Sequence, residues 1–164
     1  MYWVPPMLRV GVAACELAWE YFFCNEPMPA AILLLGQYDT WRNQDKEKWD
    51  NEILPFQFGM RQVCNSPESF GTLLLGAGED LQNHLITTTI SNGETILQYQ
   101  ATINTTNCKN NAFEMKFDGY RAICLNGGGF NSDVFKSAYD SDKHDIMMPF
   151  QFNGNTWTFS LYST

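Results

Sequence analysis

Between Leu85 and Ile103, apolar and polar residues alternate on either side of Asn92-Gly93. A two-residue hairpin turn needs positive φ at both central positions, which Asn and Gly adopt at least cost, so the pattern predicts a β-hairpin. Counting outward from the turn, Ile90 faces Thr95, Thr88 faces Leu97 and Ile86 faces Tyr99. That register gathers Ile86, Ile90, Leu97, Tyr99, Ala101 and Ile103 on one face, and leaves a Thr and Gln face broken only by Leu85 and Ile96. A slip by one residue would invert the two faces, so turn and alternation agree on one pairing.

Two more segments read the same way. Phe113, Met115 and Phe117 alternate up to Asp118-Gly119, after which Tyr120, Ala122 and Cys124 fall opposite them. Ile146 to Phe152 joins Asn155 to Leu161 through Asn153-Gly154, which sets Phe150 opposite Trp157 and Met148 opposite Phe159. Trp157 and Trp19 are expected in the core. Ser132 can cap a helix bearing Val134, Phe135, Ala138 and Tyr139, the clearest helix in the chain.

The first half is less regular. An opening strand is expected over residues 2 to 12. Ala13 to Phe23 fits both a helix and a strand, and the alternation of Trp19, Tyr21 and Phe23 favours the strand. Ala30 to Tyr38 reads as a short buried strand, Thr40 to Glu52 as a long exposed loop with a helical turn, and Ile53 to Val63 as a strand in which Pro55 requires an edge position or a strand start. A helical turn after Ser66-Pro67 and a strand near Leu73-Leu74-Leu75 follow. Pro-Phe-Gln-Phe occurs twice, at Pro55–Phe58 and Pro149–Phe152, and suggests equivalent edge positions in two sheets. Together these elements predict a mainly β domain spanning 1–164: an antiparallel β-sandwich or curved sheet of several hairpins with one or two short helices. An α+β mixed sheet with flanking helices is the alternative.

Composition narrows the function classes. A formal charge of −8 makes nucleic acid or an anionic membrane an unsuitable partner, since both require a basic footprint. No run of 18 apolar residues is present, and the start lacks the basic and apolar regions of a signal peptide, which places the chain in the cytoplasm or as a part excised from a larger protein. Cys15, Cys24, Cys64, Cys108 and Cys124 show no C-x-x-C spacing, so free thiols are expected ahead of a single disulfide.

No catalytic motif stands out, and the chain is expected to act by binding rather than as an enzyme, without a cofactor. Asp142-Lys-His-Asp145 gathers carboxylates about a histidine, and Asp133 and Asp140 lie nearby, yet a solvated turn explains them and the ligand spacing of a calcium loop is absent. Cys64 with His84 as a nucleophile rests only on both residue types being present. Asn126-Gly-Gly-Gly129 lacks the Lys-Ser/Thr of a phosphate loop. Sugar recognition is better supplied. It needs a planar aromatic against the apolar face of a pyranose and Asn, Asp or Arg on the hydroxyls, and Tyr38, Trp41, Arg42 and Asn43 provide that set in one loop, with Trp49 close in sequence. The competing reading is that Trp41 and Trp49 turn inward and close one end of the sandwich.

The order of Tyr2-Trp3, the apolar stretch Ala31 to Leu35, and Leu85 to Asn107 with its Ser-Asn-Gly-Glu-Thr turn and Ile-Asn-Thr-Thr-Asn ending resembles the receptor-binding head of the rotavirus outer-capsid spike protein. That resemblance implies a galectin-like pair of antiparallel sheets at the virion surface, made in the host cytoplasm. It also implies attachment to a host cell-surface glycan or receptor, with the remainder of the spike as a partner and no direct membrane insertion. No binding residue of that family maps onto a position here. A non-viral soluble lectin or carbohydrate-binding module is the alternative function.

Overall fold

The computed structural model describes residues 9–63, 66, 68–69, 71 and 78–163. It overturns the mainly β reading, because the chain is about 53% helix and 17% strand. Two compact units divide it, Met1–Leu97 and Gln98–Thr164. The expected strand near Leu73 and most of the expected opening strand lie outside the described residues.

In the first unit, α1 (Ala14–Phe22) and α2 (Ala30–Asp39) replace two expected strands. The alternation of Trp19, Tyr21 and Phe23 misleads: Trp19 is buried while Tyr21 and Phe23 are exposed, and burial instead follows Ala13, Glu16 and Trp19 at a three-residue spacing. In α2 the run Ile-Leu-Leu-Leu covers most of the helix circumference, and an apolar run of that length does not distinguish a buried strand from a buried helix. The expected edge strand is helical too, and the expected loop is non-helical only over residues 40–45. A turn at Lys46–Lys48 and a wider π-turn at Trp49–Ile53 lead into α3 (Leu54–Val63). Pro55 has no N–H to continue a regular ladder, and just before it Leu54 N–H reaches back five residues to Trp49 O. Trp19, Ile32, Trp49, Ile53, Phe56 and Met60 form the core of this unit.

The largest correction is the central hairpin. Residues 85–103 lie inside α4 (Glu79–Asn111), a single helix of 33 residues. Leu85 and Ile96, which broke the polar face of the hairpin, now fall on one stripe with Ile86, Thr89, Ile90, Gly93 and Leu97, the less exposed positions at helical spacing. Tyr99, assigned to the buried face of the hairpin, is 70% exposed. Gly93 is required for a different reason from positive φ. A Cβ there would sit 1.7 Å from Pro55 O, and one on Gly59 would sit 2.0 Å from Thr89 O, so α3 and α4 cross where neither carries a side chain. The threonines suit the helix by bonding backward. The hydroxyls of Thr87, Thr89, Thr95, Thr102 and Thr106 donate to the carbonyls four residues earlier at 2.8–3.1 Å.

The second unit holds one mixed four-stranded sheet in the order β1 (Ala112–Phe117), β2 (Tyr120–Asn126), β3 (Ile146–Phe152), β4 (Trp157–Phe159). The β1–β2 hairpin turns at Asp118 (φ 48°) and Gly119 (φ 87°) and pairs Phe117 with Tyr120, Met115 with Ala122 and Phe113 with Cys124. In β3–β4 the register is shifted by two: Phe152 faces Trp157 and Phe150 faces Phe159. Asn153 causes the shift, since its side-chain oxygen accepts the N–H groups of Asn155 and Thr156 and its own N–H donates to Thr156 O, closing a four-residue turn. Trp157, expected in the core, is 55% exposed. β2 and β3 are parallel. Their connection contains only a 3-10 turn, Ser132–Phe135, where a longer helix was expected, and Asn131 rather than Ser132 caps it. Val134 and Phe135 pack there with Cys108, Ile123, Leu125 and Met147. The two copies of Pro-Phe-Gln-Phe are therefore not equivalent, one lying in α3 and the other in β3.

Candidate functional site

α2 ends in a closure that places a tryptophan where glycine is usual. Trp41 N–H donates to Tyr38 O at 3.2 Å and Arg42 N–H to Gln37 O at 2.9 Å, the paired bonds of a helix terminated by a left-handed residue. The left-handed residue is Trp41 itself, at φ 52°. A bulky side chain in that region costs on the order of 1–2 kcal/mol, and such strain persists only where the surroundings impose it.

The surroundings are Arg42 and Glu16. Arg42 Nη2 donates to Glu16 Oε2 at 2.7 Å, and its Nε donates to Thr40 Oγ1 at 2.9 Å. Thr40 Oγ1 donates in turn to Gly36 O at 2.7 Å. Glu16 is 4% exposed and also accepts Ala13 N–H at 2.9 Å, which caps α1. Its carboxylate occupies the niche left by Gly36, where an added Cβ would come within 2.6 Å of Glu16 Cδ. Arg42, about a third exposed, thus ties the loop to the buried carboxylate of Glu16.

The same stretch carries a cluster of three aromatic rings. Trp49, 5% exposed, stacks with Tyr38 (5.8 Å between centroids, 9° between planes) and with Trp41 (5.4 Å, 20°). Tyr38 and Trp41 are 6.3 Å apart at 25°. Trp41 is the outermost ring, 66% exposed. The two expected roles for the tryptophans are therefore divided between them, with Trp49 turned inward and Trp41 outward. Asn43 is exposed, its N–H bonded to Trp41 O, and the exposed carboxylates of Asp39, Asp45, Glu47 and Asp50 lie along the same stretch. Of the five residues singled out from the sequence, Tyr38, Trp41 and Trp49 form one unit, Asn43 lies beside it in the chain, and Arg42 pairs with Glu16. Glu16 and Gly36 carry no signal in the sequence that links them to the loop.

The other candidates are engaged elsewhere. Arg121 holds Asp145 through Nη2–Oδ1 at 2.7 Å and Nε–Oδ2 at 3.1 Å, and its backbone N–H adds a third bond at 2.8 Å. Those hydrogen bonds pull the Asp145 carboxyl down to about 2, so it does not serve as an acid. Asp140 pairs with Lys143 and Asp133 with Lys136. His144 is buried, with Nδ1 accepting Asp140 N–H at 3.0 Å, which leaves Nε2–H to donate to Glu114 Oε1 at 3.1 Å. Among the described residues no three His, Cys, Asp or Glu side chains cluster to hold a metal ion. Cys15, Cys24, Cys108 and Cys124 are free thiols, and burial pushes Cys15, Cys108 and Cys124 up. Cys64 lies outside the described residues, and His84 is exposed on α4. No described helix is long and apolar enough to cross a membrane.

Compared with protein-family models, with curated proteins and with solved structures, this chain matches none.

Proposed function

We propose that this chain is a binding module whose ligand is a neutral glycan received on Trp41. The observation that carries the reading is that a two-thirds exposed tryptophan is held at a strained backbone position, stacked with two further rings and followed by an arginine tied to the buried Glu16. An exposed ring supported from behind is the surface that the apolar face of a pyranose stacks on, with carboxylates and amides left to accept its hydroxyl protons. A neutral sugar is favoured over an anionic one, because the Arg42 guanidinium pairs with Glu16, Lys46 pairs with Asp50, and the exposed side chains of this stretch carry four carboxylates against Lys46 and the half-buried Lys48.

Host attachment by a viral spike is one setting for such a site, and it rests on the resemblance of Leu85 to Asn107. That stretch is helical here, so the galectin-like sandwich does not accompany the proposal. A non-viral carbohydrate-binding module uses the same site. A glycan array probed with the wild type and Trp41→Ala tests both, the expected result being one family of neutral glycans bound and lost in the variant. Binding that survives in Trp41→Ala excludes this site.

A further inference from the structure

We infer that the open face of the mixed sheet is an interface between two copies of this chain. β2 and β3 pair in parallel and are apolar on both sides, with Ile123, Leu125 and Met147 on one face and Ala122, Cys124 and Met148 on the other. Strands of that kind belong to sheets covered on both faces. The first face is sealed by Val134 and Phe135 of the connection and by Cys108. The second presents Phe113, Met115, Tyr120, Phe152, Trp157 and Phe159, each 41–57% exposed.

Area and charge both favour a second copy as the cover. Side chains of this size have about 150–250 Å² each to bury, so six of them half exposed offer roughly 600 Å². That is the upper end for the largest apolar patch on a monomer, about 300–600 Å². It approaches the roughly 800 Å² that each partner contributes to an interface of standard size, with the half-buried Phe150 between them adding more. A two-fold contact requires a patch complementary to itself. The strand register puts Glu114, Lys116 and Arg121 on the opposite face, so this one meets its copy without opposing like charges although each chain carries −8.

Sedimentation velocity with fluorescence detection on the whole chain, from about 1 nM to 100 µM, covers the µM to nM affinities of interfaces of this size and tests the inference. The wild type is expected to sediment as a dimer. A Trp157→Glu, Phe159→Glu double variant and a separate Phe113→Gln variant are each expected to dissociate at least ~10-fold more readily while keeping the wild-type circular dichroism. Should the double variant fail to fold, Phe113→Gln decides alone. A wild type that stays monomeric throughout, or a dimer indifferent to the folded variants, overturns the inference.

Discussion

Replacing Trp41 by glycine and by alanine separates the strain at this residue from its stacking. Both changes remove the ring contacts with Trp49 and Tyr38, a loss of about 0.5–1.5 kcal/mol per aromatic pair, at the lower end here because Trp41 is two-thirds exposed. Alanine retains the cost of positive φ, whereas glycine is free of it, which favours glycine by about 1 kcal/mol. Trp41→Gly should therefore lie close to the wild type in stability and above Trp41→Ala. At an ordinary loop or helical position the order reverses, because glycine loses more entropy on folding. Urea denaturation followed by circular dichroism, with the two midpoints compared at equal slope, reads the difference. Trp41→Ala proving as stable as Trp41→Gly, or more so, would refute a strained left-handed tryptophan and remove the main support for a selected platform.

Arg42→Ala leaves Glu16 buried with a single backbone donor and should destabilise the first unit by about 3 kcal/mol, measurable in the same denaturation experiment. Within α4, Asn92→Ala should stabilise by a few tenths of a kcal/mol as a better helix former at an exposed position, whereas in a hairpin turn it would destabilise. Gly93→Ala forces α3 and α4 apart at backbone contact distance and should cost about 3 kcal/mol or more. The folded-state value of Asp145 lies below its unfolded value of about 3.9, so its ion pair contributes stability above about pH 4, and that contribution is lost as pH falls toward about 2. Asp145→Asn should flatten the acid limb of the melting-temperature profile, and a carbon-13 titration of the Asp145 carboxyl with a midpoint near 4 would contradict the pairing.

Local signals in the sequence were reliable where a tight turn fixed both strands and unreliable where tertiary packing decided. Asp118-Gly119 led to the observed register of β1 and β2, because both turn residues take positive φ and no other element competes for them. Asn153-Gly154 was a similar pair, but the Asn153 side chain drew Thr156 into a longer turn and moved the register by two, which preserved the faces. Asn92-Gly93 failed because the glycine serves a helix crossing, and a partner nearly forty residues earlier at Pro55 is invisible to a reading of neighbours. The two irregular positions Leu85 and Ile96 were the trace of the helical period that the hairpin register did not explain. Pro-Phe-Gln-Phe folds once as helix and once as strand, which shows that four residues do not determine their own conformation. At the site, the aromatic set was legible from residue type and proximity. The pairing of Arg42 with Glu16 was not, because Glu16 is 26 positions away and nothing in the sequence marks a carboxylate as buried.

Isothermal titration of a neutral oligosaccharide taken from the array, into the wild type and into Trp41→Gly, reads whether the Trp41 ring is the surface that receives the sugar. Measurable binding to the wild type is expected, with a loss of about 1–3 kcal/mol, or roughly five- to 150-fold in affinity, in a variant of near wild-type stability. Equal affinity in the two proteins, or no binding of any neutral glycan by the folded wild type, would contradict that role.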